Sequence, residues 1–344
     1  MIDAKSEARK MRAMVLDEYN GKLTLRDVPV PSPKRNEVLI RVHACGLCGS
    51  DLKITGGKIK TTPLPHTPGH EIAGEIVECG AGVPSGMTGK RVITHTYASC
   101  KTCESCKTGA YNMCPDLHGR LGFELPGGLG EYVVIDASNC VLLPKEISFT
   151  DACIIPCAML SVYHGINRAN IRPGDRVVML GVGGLGIHGV QFLALRGIHV
   201  TAVDLKKDKL DYAAKLGATE ALDFEAFMND QNKVSVIMDN VAKPAVTGPC
   251  LKKLAKNGRY VMVGYSPGVE SVFDSEYMHL NETQIIGTRN GTIPELKEIV
   301  GLVSAGKIKS IIDRILPLEQ ANTALELIRN GDIMGRVVVQ HDNG

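Results

Sequence analysis

Apolar positions change rhythm along the chain near residue 155. Before that point, short β-branched runs are cut by Gly and Pro, and residues 12–16, 37–42, 72–77 and 131–135 read as strands separated by long loops. Residues 1–10 read as a short polar tail. Beyond residue 155, compact apolar runs alternate with stretches of helical spacing. Residues 176–180, 199–203, 234–238 and 260–263 predict strands, and residues 185–196, 206–216 and 245–256 predict helices. Strands alternating with helices in this way predict a doubly wound parallel sheet. A helix over 294–305 and a strand over 336–340 close the chain.

Length and composition fit that division. At about 150 residues per domain, 344 residues imply two domains. A net charge of +2 offers neither a basic field for nucleic acid nor an acidic tail. The first twelve residues lack the apolar core of a signal peptide. Residues 177–195 are apolar enough to imitate a membrane span, but they carry five glycines, His188 and Gln191 and follow the turn Pro173-Gly174-Asp175. A buried strand running into a buried helix explains them, and the expectation is a cytoplasmic, reduced protein with no membrane partner. Eleven cysteines, an odd number, then read as metal ligands or small core residues rather than disulfides.

Gly181-Val182-Gly183-Gly184-Leu185-Gly186 fits G-x-G-x-x-G between a predicted strand and a predicted helix. In that pattern the first glycine allows a tight turn, the second admits a pyrophosphate to the backbone, and the third lets helix and strand pack. Asp204 ends the next predicted strand, 23 residues after Gly181, where a carboxylate accepts from a ribose hydroxyl. The pair predicts NAD, although Lys206 and Lys207 just beyond soften the selection against NADP. A glycine-rich turn without a ligand is the plain alternative.

Cys100, Cys103, Cys106 and Cys114 are spaced C-x2-C-x2-C-x7-C. Four thiolates gathered by tight turns suit a closed structural zinc site. An iron–sulfur run ends with a gap of about three residues before Cys-Pro, whereas seven precede Cys114-Pro115 here. A second group, around Cys48, His70 and Cys157, would give three protein ligands and leave a fourth position open, as catalytic zinc needs. Spacing alone leaves Cys45 in competition with Cys48, and Cys153 with Cys157.

The pieces GLCGSD, PGHEIAGEI, the four-cysteine lobe, GGLGEYV, IPCAMLSVY, GVGGLG and MGRVVV follow one another in the order of a known family. From Met11 onward the chain resembles the zinc-dependent alcohol dehydrogenases of the medium-chain dehydrogenase/reductase superfamily. The resemblance implies an α/β protein with a GroES-like β-rich catalytic domain over 1–158 and 291–344 and a Rossmann domain over 159–290. It selects Cys48, His70 and Cys157 as ligands of a catalytic zinc. Glu71 would stand behind the metal or exchange as a ligand, and Asp51 would orient the zinc-bound histidine. Ser50 would bond the substrate oxygen and begin the proton exit. Many relatives continue that exit through a histidine three residues later, where this chain has Lys53. Ser161 would lie near the nicotinamide, Val263 and Arg289 near the dinucleotide, and Arg336 near the pyrophosphate.

The implied reaction is hydride transfer between an alcohol, or its aldehyde or ketone, and NAD. Polyol, threonine-type and hydroxyacyl-thioester substrates stay open, with Tyr97, His95, Leu52 and His118 as candidate pocket residues. A zinc-free NADPH-dependent enone reductase lacks these ligands, and a non-enzymatic nucleotide-binding protein would not need Ser50. A homotetramer or homodimer is expected, joined through an edge strand near residues 284–288.

Overall fold

The computed structural model describes residues 9–342. Residues 1–8 of the predicted polar tail lie outside the described residues, and Lys10 already begins the first strand, Lys10–Val15. The chain forms two compact units, divided at Pro156/Cys157 and at Ile311/Ile312.

The first unit is built on a seven-stranded sheet. Its order is Ile312–Pro317, Arg336–Gln340, Glu37–Leu47, Glu71–Cys79, Arg91–Thr94 and Cys140–Leu142, with Tyr132–Asp136 also pairing on Glu37–Leu47. Glu37–Leu47 runs five residues past its predicted end because both of its faces are covered. Val38, Ile40 and Val42 enter one core with Ile72, Ile76 and Val133, while Cys45 and Leu47 enter another with Leu16, Val337 and Val339. Alternate side chains of a strand point to opposite faces, so this one strand feeds both cores.

The second unit holds a six-stranded parallel sheet. Its order is Glu220–Leu222, His199–Val203, Arg176–Leu180, Val234–Asp239, Leu254–Met262 and Gln284–Gly287. Two predicted strands, 176–180 and 199–203, are reproduced to the residue. The helix predicted over 245–256 is corrected: it ends at Leu251, and residues 254–256 belong to a strand. A register shift lets Leu254 pair with Val234, and Leu254 is fully buried there, which outweighs its helical spacing.

The sequence places the return to the β-rich unit after residue 290, whereas the structure places it at Ile312. Helix Ile293–Ser304 stays with the parallel sheet because Glu295 accepts from Nδ1 of His164 at 2.9 Å and Nδ2 of Asn167 at 2.9 Å. Residues 177–195 resolve into strand, turn and helix, as expected. The run Phe149–Arg168 is the one long and apolar enough to cross a membrane among the described residues, with mean hydropathy 1.3, and 72% of it is buried in protein. It is an α-helical turn, a wider π turn at Ile155–Met159 and a further helix in sequence.

Candidate functional site

Cys48 caps the helix Gly49–Thr55. Its Sγ accepts the Ser50 N–H at 3.2 Å, while Oδ2 of Asp51 accepts the Cys48 N–H at 2.8 Å, a reciprocal capping box. The other oxygen of Asp51 lies 3.3 Å from Nδ1 of His70, and Asp51 is wholly buried. A carboxylate in that place takes the Nδ1–H and turns Nε2 into an electron-pair donor. Nε2 lies 3.4 Å from Cys48 Sγ. Gly69, at φ +97°, delivers His70 through a turn where a Cβ would stand 2.6 Å from Cys45 Sγ.

Glu71, the next residue, opens the strand Glu71–Cys79 and is fully buried. Nε of Arg336 donates to Oε1 at 3.1 Å and to Oε2 at 3.3 Å. Burial pushes the Glu71 carboxyl upward and Arg336 pulls it back. Gly46 makes room, since a Cβ there would sit 2.4 Å from Glu71 Oε2. Cys157 lies on the π turn continuing helix Phe149–Cys153, which packs on Glu37–Leu47 and Glu71–Cys79. The ligand atoms of Cys48, His70, Glu71 and Cys157 all lie within 4.8 Å of one another.

The competitors stay outside this group. Cys45 Sγ donates to its neighbour Gly46 O at 3.6 Å, and Cys153 Sγ donates to Thr150 O at 3.2 Å. Burial pushes both thiols well above the ordinary range, so both are kept as neutral core groups.

In the lobe, Cys100, Cys103, Cys106 and Cys114 also bring their sulfurs within 4.8 Å. The Cys103 N–H donates to Cys100 Sγ at 3.4 Å, and the Cys100 N–H donates to Cys114 Sγ at 3.4 Å. Hydrogen bonds from Thr102 and Cys103 draw the Cys100 thiol below its ordinary range. Sulfurs sit 3.5 Å apart for Cys100 and Cys114 and 3.8 Å apart for Cys103 and Cys114. A tetrahedron of sulfurs around zinc has edges of about 3.8 Å, so the lobe fits that ion. All eleven cysteines are free thiols.

The glycine turn lies between Arg176–Leu180 and the helix Gly186–Leu195. Gly181 has φ +80°, and a Cβ on Gly186 would lie 2.0 Å from Gly181 O, while a Cβ on Gly183 would meet nothing within 4 Å. Only the middle glycine therefore faces open space, on the side where a phosphate approaches. Gly184 O accepts from Nδ1 of His188 at 2.9 Å, one turn beyond Leu185 at the helix cap. Asp204 Oδ2 accepts the Val182 N–H at 2.9 Å, tying the next strand's carboxylate to the turn. Val263 follows the strand Leu254–Met262, and its N–H donates to Asp239 O at 2.9 Å. Asn290 Nδ2 donates to Ser161 Oγ at 3.4 Å, so Ser161 meets the loop that carries Arg289.

Arg336, expected near a pyrophosphate, is found on Glu71, a partner 265 residues away that no local motif signals. Sequence reasoning also missed Phe123, whose ring centroid lies 5.1 Å from that of His70. His95 and Tyr97 stack obliquely at 5.6 Å, and Lys53 occupies the last turn of the helix that Cys48 caps.

Comparison with known proteins agrees with this geometry. Residues 34–145 match the alcohol dehydrogenase GroES-like domain, and residues 184–305 match the zinc-binding dehydrogenase domain. An alcohol dehydrogenase of Geobacillus stearothermophilus is 34% identical over 343 residues, covering 96% of this chain and 100% of that protein. An NAD-dependent alcohol dehydrogenase of Sulfolobus acidocaldarius is 33% identical, over 96% of this chain and 99% of its own. The cobalt- and zinc-bound thermostable alcohol dehydrogenase of Pyrobaculum aerophilum superposes with a TM-score of 0.91 at 30% identity, covering 96% of this chain and 100% of that one. The chain therefore belongs to the zinc-dependent alcohol dehydrogenases of the medium-chain dehydrogenase/reductase superfamily.

Proposed function

We propose that the chain is an NAD-dependent zinc enzyme transferring hydride between an alcohol, or its aldehyde or ketone, and NAD. The observation that carries this is the convergence of Cys48, His70, Glu71 and Cys157 on one point. Two thiolates, an imidazole and a carboxylate held in reserve form a donor set suited to catalytic zinc. Zinc bound there supplies Lewis acidity that makes an alcohol oxygen easier to deprotonate, and NAD supplies the hydride acceptor.

The chain's own residues supply orientation and the proton path. Asp51 holds the His70 ring by Nδ1 and the Cys48 backbone by its N–H, so one carboxylate aligns two ligands. Arg336 keeps Glu71 behind them. Ser50, one residue into the helix, takes the hydroxyl proton of the substrate on Oγ and passes it outward. The Gly181–Gly186 turn receives the pyrophosphate, and Asp204 the adenosine ribose. Ser161, Val263 and Arg289 complete the cofactor cradle.

Assembly through the edge strand Gln284–Gly287 belongs to the same reading. Val272 is 84% exposed and Leu280 64%, with Phe273 and Ile285 also open, and an uncovered edge beside apolar side chains invites pairing with a second copy. Light scattering of the purified protein measures that state, with a dimer or tetramer expected. Eleven free thiols suit the reducing cytoplasm.

The test is NADH-monitored turnover over alcohols, polyols and hydroxyacyl thioesters, repeated with Ser50→Ala. Oxidation should slow by about a hundredfold or more in the variant, with zinc content unchanged. Unchanged turnover removes Ser50 from the proton path, and NAD binding without hydride transfer to or from any member of the panel removes the proposed reaction.

A further inference from the structure

The unit with the parallel sheet carries a second concave site, at the opposite end of its strands from the glycine turn. A cavity of about 410 Å³ opens there, with Arg168, Arg172 and Arg259 in its wall. Asp175, also in the wall, immediately precedes the strand Arg176–Leu180, and Gly181 immediately follows it. Five extended residues span about 17 Å. The cavity is therefore separate from the dinucleotide turn.

The three guanidiniums differ in what already holds them. Nη1 of Arg259 donates to the carbonyls of Ala169 at 2.7 Å and Asn170 at 3.0 Å, and Nη2 donates to Asp175 Oδ1 at 2.7 Å. Those bonds close the carbonyl end of the helix Leu160–Arg168 and pin a cation in the cavity wall. Its Nε is buried and has no hydrogen-bond partner. Arg168 and Arg172 are exposed, and their guanidiniums form no ion pair among the described residues. Three cations thus line the cavity against one carboxylate.

The backbone beneath these side chains is fixed. The Arg172 N–H donates to Asp175 Oδ2 at 2.8 Å, and the Asp175 N–H donates to Arg172 O at 3.0 Å. Asn170 and Asn257 sit in the left-handed region, at φ 49° and 59°, and add neutral amides to the wall. An ordinary exposed arginine extends into water and needs no concave surface. Here two of them share one with an anchored third, in a volume within the range of small-molecule sites.

We infer that this cavity binds a phosphorylated small molecule, its phosphate held by Arg168 and Arg172 and backed by Arg259. Guanidinium groups present paired N–H donors that match phosphate oxygens. The uncompensated charge of the wall matches a phosphomonoester, which carries about −1.5 to −2 at neutral pH. The remaining volume takes the organic part. Arg259 has a structural duty at the helix end, but Arg168 and Arg172 do not share it, so recognition and folding separate by mutation. The inference stands independently of the alcohol reaction.

The full-length protein is first saturated with NAD, so that the glycine turn is filled. It is then titrated calorimetrically with ribose 5-phosphate, and with ribose as the unphosphorylated control. Binding of the phosphate and not of ribose is expected. The double variant R168Q/R172Q should bind it about tenfold or more weakly, with NAD affinity and Tm unchanged. Absence of binding to the NAD-saturated protein, equal binding of ribose, or undiminished binding by the double variant each overturns the proposal.

Discussion

The four-cysteine lobe and the Cys48 cluster use overlapping donors and opposite methods of construction. The lobe takes all its ligands from residues 100–114 and aims its own backbone N–H groups at its own sulfurs. The second cluster draws on a helix cap, a strand and a π turn, and it adds two fully buried carboxylates that the lobe lacks. A site closed by four sulfurs is rigid through its ligands alone. A site that leaves a position free for substrate is held from behind, here by Asp51 on His70 and Arg336 on Glu71.

Breaking the second cluster should cost most. His70→Ala should lower turnover by more than about a thousandfold and remove one of two zinc equivalents, read by metal analysis beside NADH production. Two equivalents retained with activity intact would dissolve the contrast between the sites. Asp51→Asn keeps the shape and removes the charge behind the ligand, so activity or zinc affinity should fall by about 10- to 100-fold. A variant with native zinc affinity and turnover would show that Asp51 is only a helix cap. Cys103→Ala, in the lobe, should lower Tm by about 10 °C and cost one zinc, because structural zinc contributes folding energy. Its turnover at low temperature should stay within about twofold of the parent; a larger loss would mean that the lobe also serves the reaction.

The same contrast explains what could be read from the sequence. The lobe was legible from spacing because its ligands are local. The glycine turn and Asp204 were legible because a βα turn and the end of the next strand are close in sequence as well as in space. Spacing could not separate Cys48 from Cys45 or Cys157 from Cys153, and family resemblance was needed. The physical distinction is burial and aim: Cys45 and Cys153 spend their thiols on nearby carbonyls, facts that appear only after folding. The Arg336–Glu71 pair and Phe123 beside His70 were hidden for the same reason. Residues 254–256 misled because helical periodicity continued across a turn into a buried strand.

The late return of the chain at Ile312 also sets an order of events during synthesis. Strand Arg336–Gln340 pairs with Glu37–Leu47, so a central place in the first-made sheet waits for a segment synthesised only after the whole second unit. Until it arrives, Glu71 lacks the guanidinium that neutralises it, and the core of Val337, Val339 and Leu47 is half built. The nascent protein can therefore complete its cofactor unit first, while the metal centre matures only once Arg336–Gln340 has joined the sheet.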